Sequence, residues 1–143
     1  MKKLLYNEYV SKIANCPNDD YCERDVEKCY HFVTDNILDD INFEPTAIKS
    51  HRANDPSHLG NCGRLATSFY TNYDKAIERF EDFKNNMNPD KIKDKIGSSI
   101  AKGKLTKNCG ISNLPSIKTT HFETHLYTKD FLYKNFTIDK KLI

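Results

Sequence analysis

The sequence predicts a single α+β domain, in which a helical N-terminal part is followed by a small mixed or antiparallel sheet with two inserted helices. Its length of 143 residues is that of about one domain. Apolar residues recur at helical spacing in residues 1–43, whereas runs such as residues 119–127 alternate with the period of two that is typical of strands. The predicted domain therefore consists of a helical part, residues 1–43, and an α+β part, residues 44–143.

The main helix of the N-terminal part is predicted after residues 18–20, which supply the Asn and Asp side chains of a helix N-cap. Its apolar positions lie at i, i+4, i+7 and i+11: Val26, Tyr30, Val33 and Ile37. This spacing predicts an amphipathic helix of about five turns.

The α+β part is divided by turn and capping signals. Thr71 and Asp74 resemble a capping box that opens one inserted helix, and Asn88-Pro89 opens a second, which we expect to run through Ile100 to Gly103. We expect residues 102–116 to be mostly loop. Strands are predicted at residues 44–52, 64–70, 119–127 and 131–138.

Composition excludes a charge-driven partner and a membrane protein. The formal net charge is +2, with both signs scattered along the chain. The N-terminus has no apolar core of a signal peptide, and no stretch approaches the ~20 apolar residues of a membrane span. We expect a cytoplasmic protein, or one delivered into a target cell without a classical signal. The five cysteines are expected to be free thiols, with Cys22 and Cys29 as small core residues.

Residues 119–127 carry the most distinctive chemistry. As a strand, this run places His121, Glu123 and His125 on one face. Phe122 and Leu126 then project from the other face and pack in the core. One face is thus chemical and the other structural.

A metal site is one interpretation of that chemical face, because two imidazoles and a carboxylate are ligands of zinc and of non-haem iron. Strand spacing opposes it, since residues i and i+4 lie roughly 13 Å apart. Three residues elsewhere could replace one of these ligands: His51, His58 and Cys109. No metal is predicted.

A second interpretation rests on the order of three motifs. Arg52 ends a predicted strand, Ala66-Thr67-Ser68-Phe69 runs into a helix, and Glu123 lies in a late strand. This order resembles the Arg, Ser-Thr-Ser, Glu pattern of ADP-ribosyltransferase toxin and effector domains, over about residues 45–127.

The resemblance implies a split sheet that grips NAD as substrate. Arg52 would bind the diphosphate or the nicotinamide ribose, and Thr67 and Ser68 would support the nicotinamide pocket. Tyr70 would stack on the nicotinamide ring. Glu123 would hold the ribose 2′-hydroxyl and stabilise the oxocarbenium-like centre, so that Arg52, Ser68 and Glu123 are expected to line one cleft.

Two departures from the pattern concern the acceptor. Ala66 stands at the first Ser, and His121 stands two residues before Glu123, where arginine-modifying members have Glu or Gln. His121 could act as a base toward a hydroxyl, a thiol or a nucleic acid. The acceptor, whether a protein, a nucleic acid or a small molecule, stays open.

Two further alternatives stay open. One is a metal-independent RNase-type toxin, which needs two proton-transfer groups and a cation at the phosphate. Its candidate residues are His51, Arg52, His121, His125 and the pair Thr119 and Thr120. The other is a non-catalytic binding or immunity module, favoured if the alternating face is fully exposed and adjoins no cleft.

Overall fold

The computed structural model describes residues 2–55 and 61–143, and its main element is an antiparallel sheet. The strands are β1 (Val26–Val33), β2 (Thr67–Tyr70), β3 (Ser99–Leu105), β4 (Gly110–Ser112), β5 (His121–Leu126) and β6 (Phe136–Lys141). They lie in the order β4-β5-β2-β1-β3-β6. The helices are α1 (Asn7–Val10), α2 (Thr46–Lys49), a 3-10 helix (Cys62–Leu65), α3 (Tyr73–Asn86), α4 (Pro89–Lys95) and α5 (Asp130–Asn135).

The predicted helical N-terminal part is wrong, because its main segment forms β1. Residues 29–33 are consecutively buried, since β1 is an inner strand with both faces covered. Such a strand loses the alternation of polar and apolar residues, and its apolar positions can then match helical spacing by accident. The β-branched and aromatic side chains of β1 favour the strand.

The second inserted helix was also predicted too long. It ends at Lys95, and Ile100 lies in β3. Gly97 allows this change of direction, because it has a φ of 131° and a Cβ there would meet the Val33 carbonyl oxygen at 2.4 Å.

Other predicted boundaries changed as well. The strand predicted at residues 44–52 is instead the short helix α2, and residues 131–138 are divided between α5 and β6. The loop predicted at residues 102–116 contains the end of β3 and all of β4. The predicted strand at residues 119–127 is confirmed as β5, and the predicted helix after Thr71 is confirmed as α3. Its N-cap is Asn72, whose side chain accepts a hydrogen bond from the Lys75 amide.

The sheet buries apolar side chains on both faces. One face packs Phe69 of β2 and Phe122 of β5 against Phe43 and the α5 segment. The opposite face packs under α3 and α4, and its core residues are Tyr30, Phe32, Tyr70, Ala76, Phe80, Ile92 and Ile100. The candidate site lies on this second face, beside α3.

A disulfide joins Cys16 to Cys62, so the expectation of five free thiols is wrong for this pair. The bridge connects the N-terminal segment to the 3-10 helix, and its partners are 46 positions apart, a separation at which sequence alone gives no pairing. Cys29 is buried as expected, whereas Cys22 is exposed. Among the described residues, no helix combines the length and the apolar character needed to cross a membrane.

Candidate functional site

A cleft of about 730 Å³ opens between β1 and β2, next to α3. The two strands pair at Tyr30 and Tyr70. Beyond this pair, the Nδ1 atom of His31 lies 2.7 Å from the Ser68 carbonyl oxygen. A side chain thus occupies a position where a backbone bond would join the strands, and the cleft forms where the strands diverge.

His31 lies at the base of this cleft, stacked on Phe43 at 5.0 Å and tilted against Phe69 at 5.2 Å between ring centroids. Burial, reinforced by Lys49, lowers its pKa to about 3, so the imidazole is neutral at pH 7. Because a carbonyl only accepts hydrogen bonds, Nδ1 carries the proton and Nε2 is left as an acceptor. Nε2 is buried and has no hydrogen-bond partner within the described chain.

His31 was not singled out by the sequence reasoning. The available signal is a titratable residue inside the otherwise apolar run of residues 29–33. A buried polar atom without a partner is rare in folded proteins, and it is common where a ligand supplies the missing partner.

The walls of the cleft carry more positive than negative charge. The cationic lining residues are Lys49, Lys75, Arg79, Lys95 and Lys118, and the carboxylates are Glu44, Glu78 and Asp82. Burial lowers the pKa of Lys49, and Glu44 opposes that shift. Arg79 packs over the Phe83 ring at 4.4 Å. The cleft therefore has the charge that suits an anionic ligand.

Tyr70 and His121 form an aromatic wall of the cleft. They are ladder partners on β2 and β5, with ring centroids 5.3 Å apart. Burial, with a smaller contribution from Arg79, lowers the pKa of His121, which favours the neutral imidazole. A neutral imidazole at the cleft surface can accept a proton.

Glu123 lies directly opposite Ser68 in the β2–β5 ladder, so the two side chains project from the same face. Ser68 lines the cleft, whereas Glu123 lies at its border and is half-buried. Tyr21 donates a hydrogen bond to the Glu123 carboxylate at 3.2 Å. Burial raises the pKa of Glu123, and the Tyr21 hydroxyl opposes this shift.

The backbone around Glu123 is fixed from two sides. Its N–H donates to the Asn113 side chain at 2.8 Å, next to β4. Gly63 of the 3-10 helix lies so close that an added Cβ would stand 2.9 Å from Oε2 of Glu123. Only glycine at this position lets the carboxylate pack against the helix.

Two predicted site residues lie elsewhere. Thr67 is buried on the opposite face of β2, where its hydroxyl donates to the Phe43 carbonyl at 2.6 Å. Arg52 is exposed after α2, and it does not line the cleft. The expectation that Arg52, Ser68 and Glu123 line one cleft is therefore wrong for Arg52, and Glu123 adjoins the cleft rather than lining it.

The third residue of the alternating face belongs to a different neighbourhood. The Nε2 atom of His125 lies 3.4 Å from the Cys62 sulfur, and its ring lies 5.1 Å from the Tyr21 ring. His121 contacts Tyr70 instead, so the two imidazoles do not converge on one metal. Of the other ligands considered from sequence, His58 lies outside the described residues.

Comparison with models of known protein families, with curated proteins and with solved structures gave no match. Function has to be inferred from the cleft and from the residues around Glu123.

Proposed function

We propose that the protein is an ADP-ribosyltransferase-like enzyme that binds NAD in the cleft between β1 and β2. The observation that carries this proposal is the position of Glu123 opposite Ser68, at the border of a cleft whose base holds the buried imidazole of His31. A carboxylate beside a cationic cleft suits a reaction in which positive charge develops on a ribose next to bound phosphates.

The cleft offers binding groups that differ from those expected at first. Lys49 and Arg79 supply the positive charge for the NAD diphosphate, since Arg52 lies outside the cleft. The Nε2 atom of His31 supplies an acceptor for a hydroxyl or an amide N–H of the ligand. A bound donor at this point compensates the desolvation of that atom.

The chemical step uses the groups around Ser68. As the glycosidic C–N bond breaks, nicotinamide leaves with the bonding electrons, and the Glu123 carboxylate stabilises the positive charge on the ribose. The acceptor then forms a bond to the anomeric carbon and loses a proton, which His121 accepts. The Tyr21 hydrogen bond favours the ionised form of Glu123 that this role needs.

Thermal unfolding with and without NAD tests the proposal. A ligand present at ten times its Kd adds about 1.4 kcal/mol to the free energy of unfolding. NAD should therefore raise the midpoint of wild type and of Arg52→Ala, whose side chain is outside the cleft, but not of Lys49→Met. No rise for wild type at millimolar NAD contradicts the proposal.

A metal-independent RNase is the second candidate, supported by the excess of cations over carboxylates in the cleft and by His121 on its wall. It predicts cleavage of RNA in the presence of EDTA, lost in His121→Gln, with no turnover of NAD. The non-catalytic module is not favoured, because the alternating face adjoins a cleft.

We also propose the setting of a toxin or effector that acts in a cytoplasm, where it would modify a protein, a nucleic acid or a small acceptor. Disulfides are rare in a reducing cytoplasm. In that setting Cys16 and Cys62 would be thiols.

A further inference from the structure

We propose that Cys16, Cys62 and His125 form a binding site for a zinc-class divalent metal once the Cys16–Cys62 disulfide is reduced. The bridge and the metal are alternative ways of joining the same two cysteines. This proposal does not depend on NAD binding, because none of the three side chains lines the cleft.

The positions of the ligand atoms support the site. The two sulfurs and a ring nitrogen of His125 all lie within 4.8 Å of one another. Tetrahedral zinc, with bonds of about 2.3 Å to sulfur and about 2.1 Å to nitrogen, places its ligand atoms about 3.6–3.8 Å apart. Cys62 and His125 already stand near that separation, at 3.4 Å.

Opening the sulfur–sulfur contact needs only side-chain rotation. The Cα atoms of Cys16 and Cys62 are 5.7 Å apart, and both residues are half-buried, so reductant and metal can reach them. The three ligands come from the N-terminal segment, the 3-10 helix and β5. A metal would therefore hold together the same segments that the disulfide joins.

His125 is suited to be a ligand rather than a charged group. Its side chain is 1 % exposed, and burial lowers its pKa to about 4, an effect that the Leu65 backbone opposes. Its neutral ring presents Nε2 toward the Cys62 sulfur, while Nδ1 is buried and has no hydrogen-bond partner among the residues described. Metal ligation at Nε2 would fix the proton on Nδ1.

The chemistry balances in two steps. A phosphine or a dithiol gives two electrons to the disulfide, the sulfur–sulfur bond breaks, and two protons from water complete the thiols. The metal then displaces both thiol protons and binds the two thiolates and the neutral imidazole. Three protein ligands leave a fourth position for water.

The test titrates Co²⁺ and then Zn²⁺ into the phosphine-reduced protein and into the oxidised protein. We expect one equivalent of Co²⁺ to give thiolate charge-transfer absorption in the reduced protein alone, and Zn²⁺ to displace it. Cys16→Ser and Cys62→Ser should bind more than about tenfold more weakly, because each lacks one thiolate. Cys22→Ser is the matched control, since Cys22 is an exposed free cysteine, and it should bind as wild type.

A second measurement keeps the proposal testable if a variant folds poorly. Zn²⁺ should raise the unfolding midpoint of reduced wild type and leave that of oxidised wild type unchanged. The proposal is overturned if reduced wild type takes up no stoichiometric metal. It is equally overturned if metal binding survives in both Cys16→Ser and Cys62→Ser, or if the oxidised protein binds as tightly.

Discussion

Replacing Gly63 by alanine should displace the Glu123 carboxylate while leaving the core intact. The new Cβ would stand 2.9 Å from Oε2 and 3.0 Å from Oε1 of Glu123, where ordinary contacts begin at 3.4 Å. Gly63 has no positive φ, so alanine fits its backbone. The group that has to move is the end of a flexible side chain, and it has to move by about 0.5 Å.

The expected effects can be separated by size. A misplacement of 1 Å costs about 100-fold in rate, so a shift of half that distance should lower kcat/KM about tenfold. The 3.2 Å hydrogen bond from Tyr21 should weaken or break, which costs about 1 kcal/mol of unfolding free energy. Gly63→Ala should therefore remain folded and lose more activity than stability.

The assay measures NAD turnover and urea unfolding on the same preparations. Tyr21→Phe removes the hydrogen bond without adding a Cβ, so it reports the hydrogen bond alone. Asn61→Ala changes an exposed residue beside the 3-10 helix that makes no side-chain cap bond, and it should match wild type. If Gly63→Ala keeps wild-type turnover and stability, the carboxylate position does not matter for activity, and the reasoning is refuted.

Three further predictions concern stability. Because the folded-state pKa of His31 is lowered to about 3, the unfolded chain binds more protons below pH 6.5, and urea unfolding should show stability falling toward pH 3, by up to about 1.4 kcal/mol per pH unit; a flat profile contradicts this. Reducing the Cys16–Cys62 bridge, whose partners are 46 positions apart, should lower the unfolding free energy by up to about 4 kcal/mol in metal-free urea titrations, and an unchanged midpoint argues against the bridge. Phe69→Ala should cost about 3–5 kcal/mol in the same assay, because Phe69 is fully buried against Phe122; a cost below about 1 kcal/mol contradicts the packing.

Sequence reasoning succeeded where a strand has one buried face and one wetter face. β5 keeps the alternation of Phe122 and Leu126 with His121 and Glu123, and it was predicted correctly. It failed for β1, because burial on both faces erased the alternation and left helical spacing at Val26, Tyr30 and Val33.

The candidate site was predicted in part for a related reason. The alternation of β5 and the composition of β2 placed Glu123 and Ser68 correctly on strands, and their pairing follows from the register of the two strands. Register depends on contacts between distant segments, which one sequence does not show. The same holds for the approach of Lys49 and His31 in the cleft, and for the pairing of Cys16 with Cys62.

The most direct test of the proposed function compares NAD turnover by wild type and by Glu123→Gln. The substitution keeps the shape of the side chain and removes the negative charge that stabilises the ribose cation. We expect wild type to release nicotinamide, and Glu123→Gln to be slower by about 100-fold or more while unfolding at the wild-type midpoint. Equal turnover by the two proteins, or none by wild type, contradicts the proposed function.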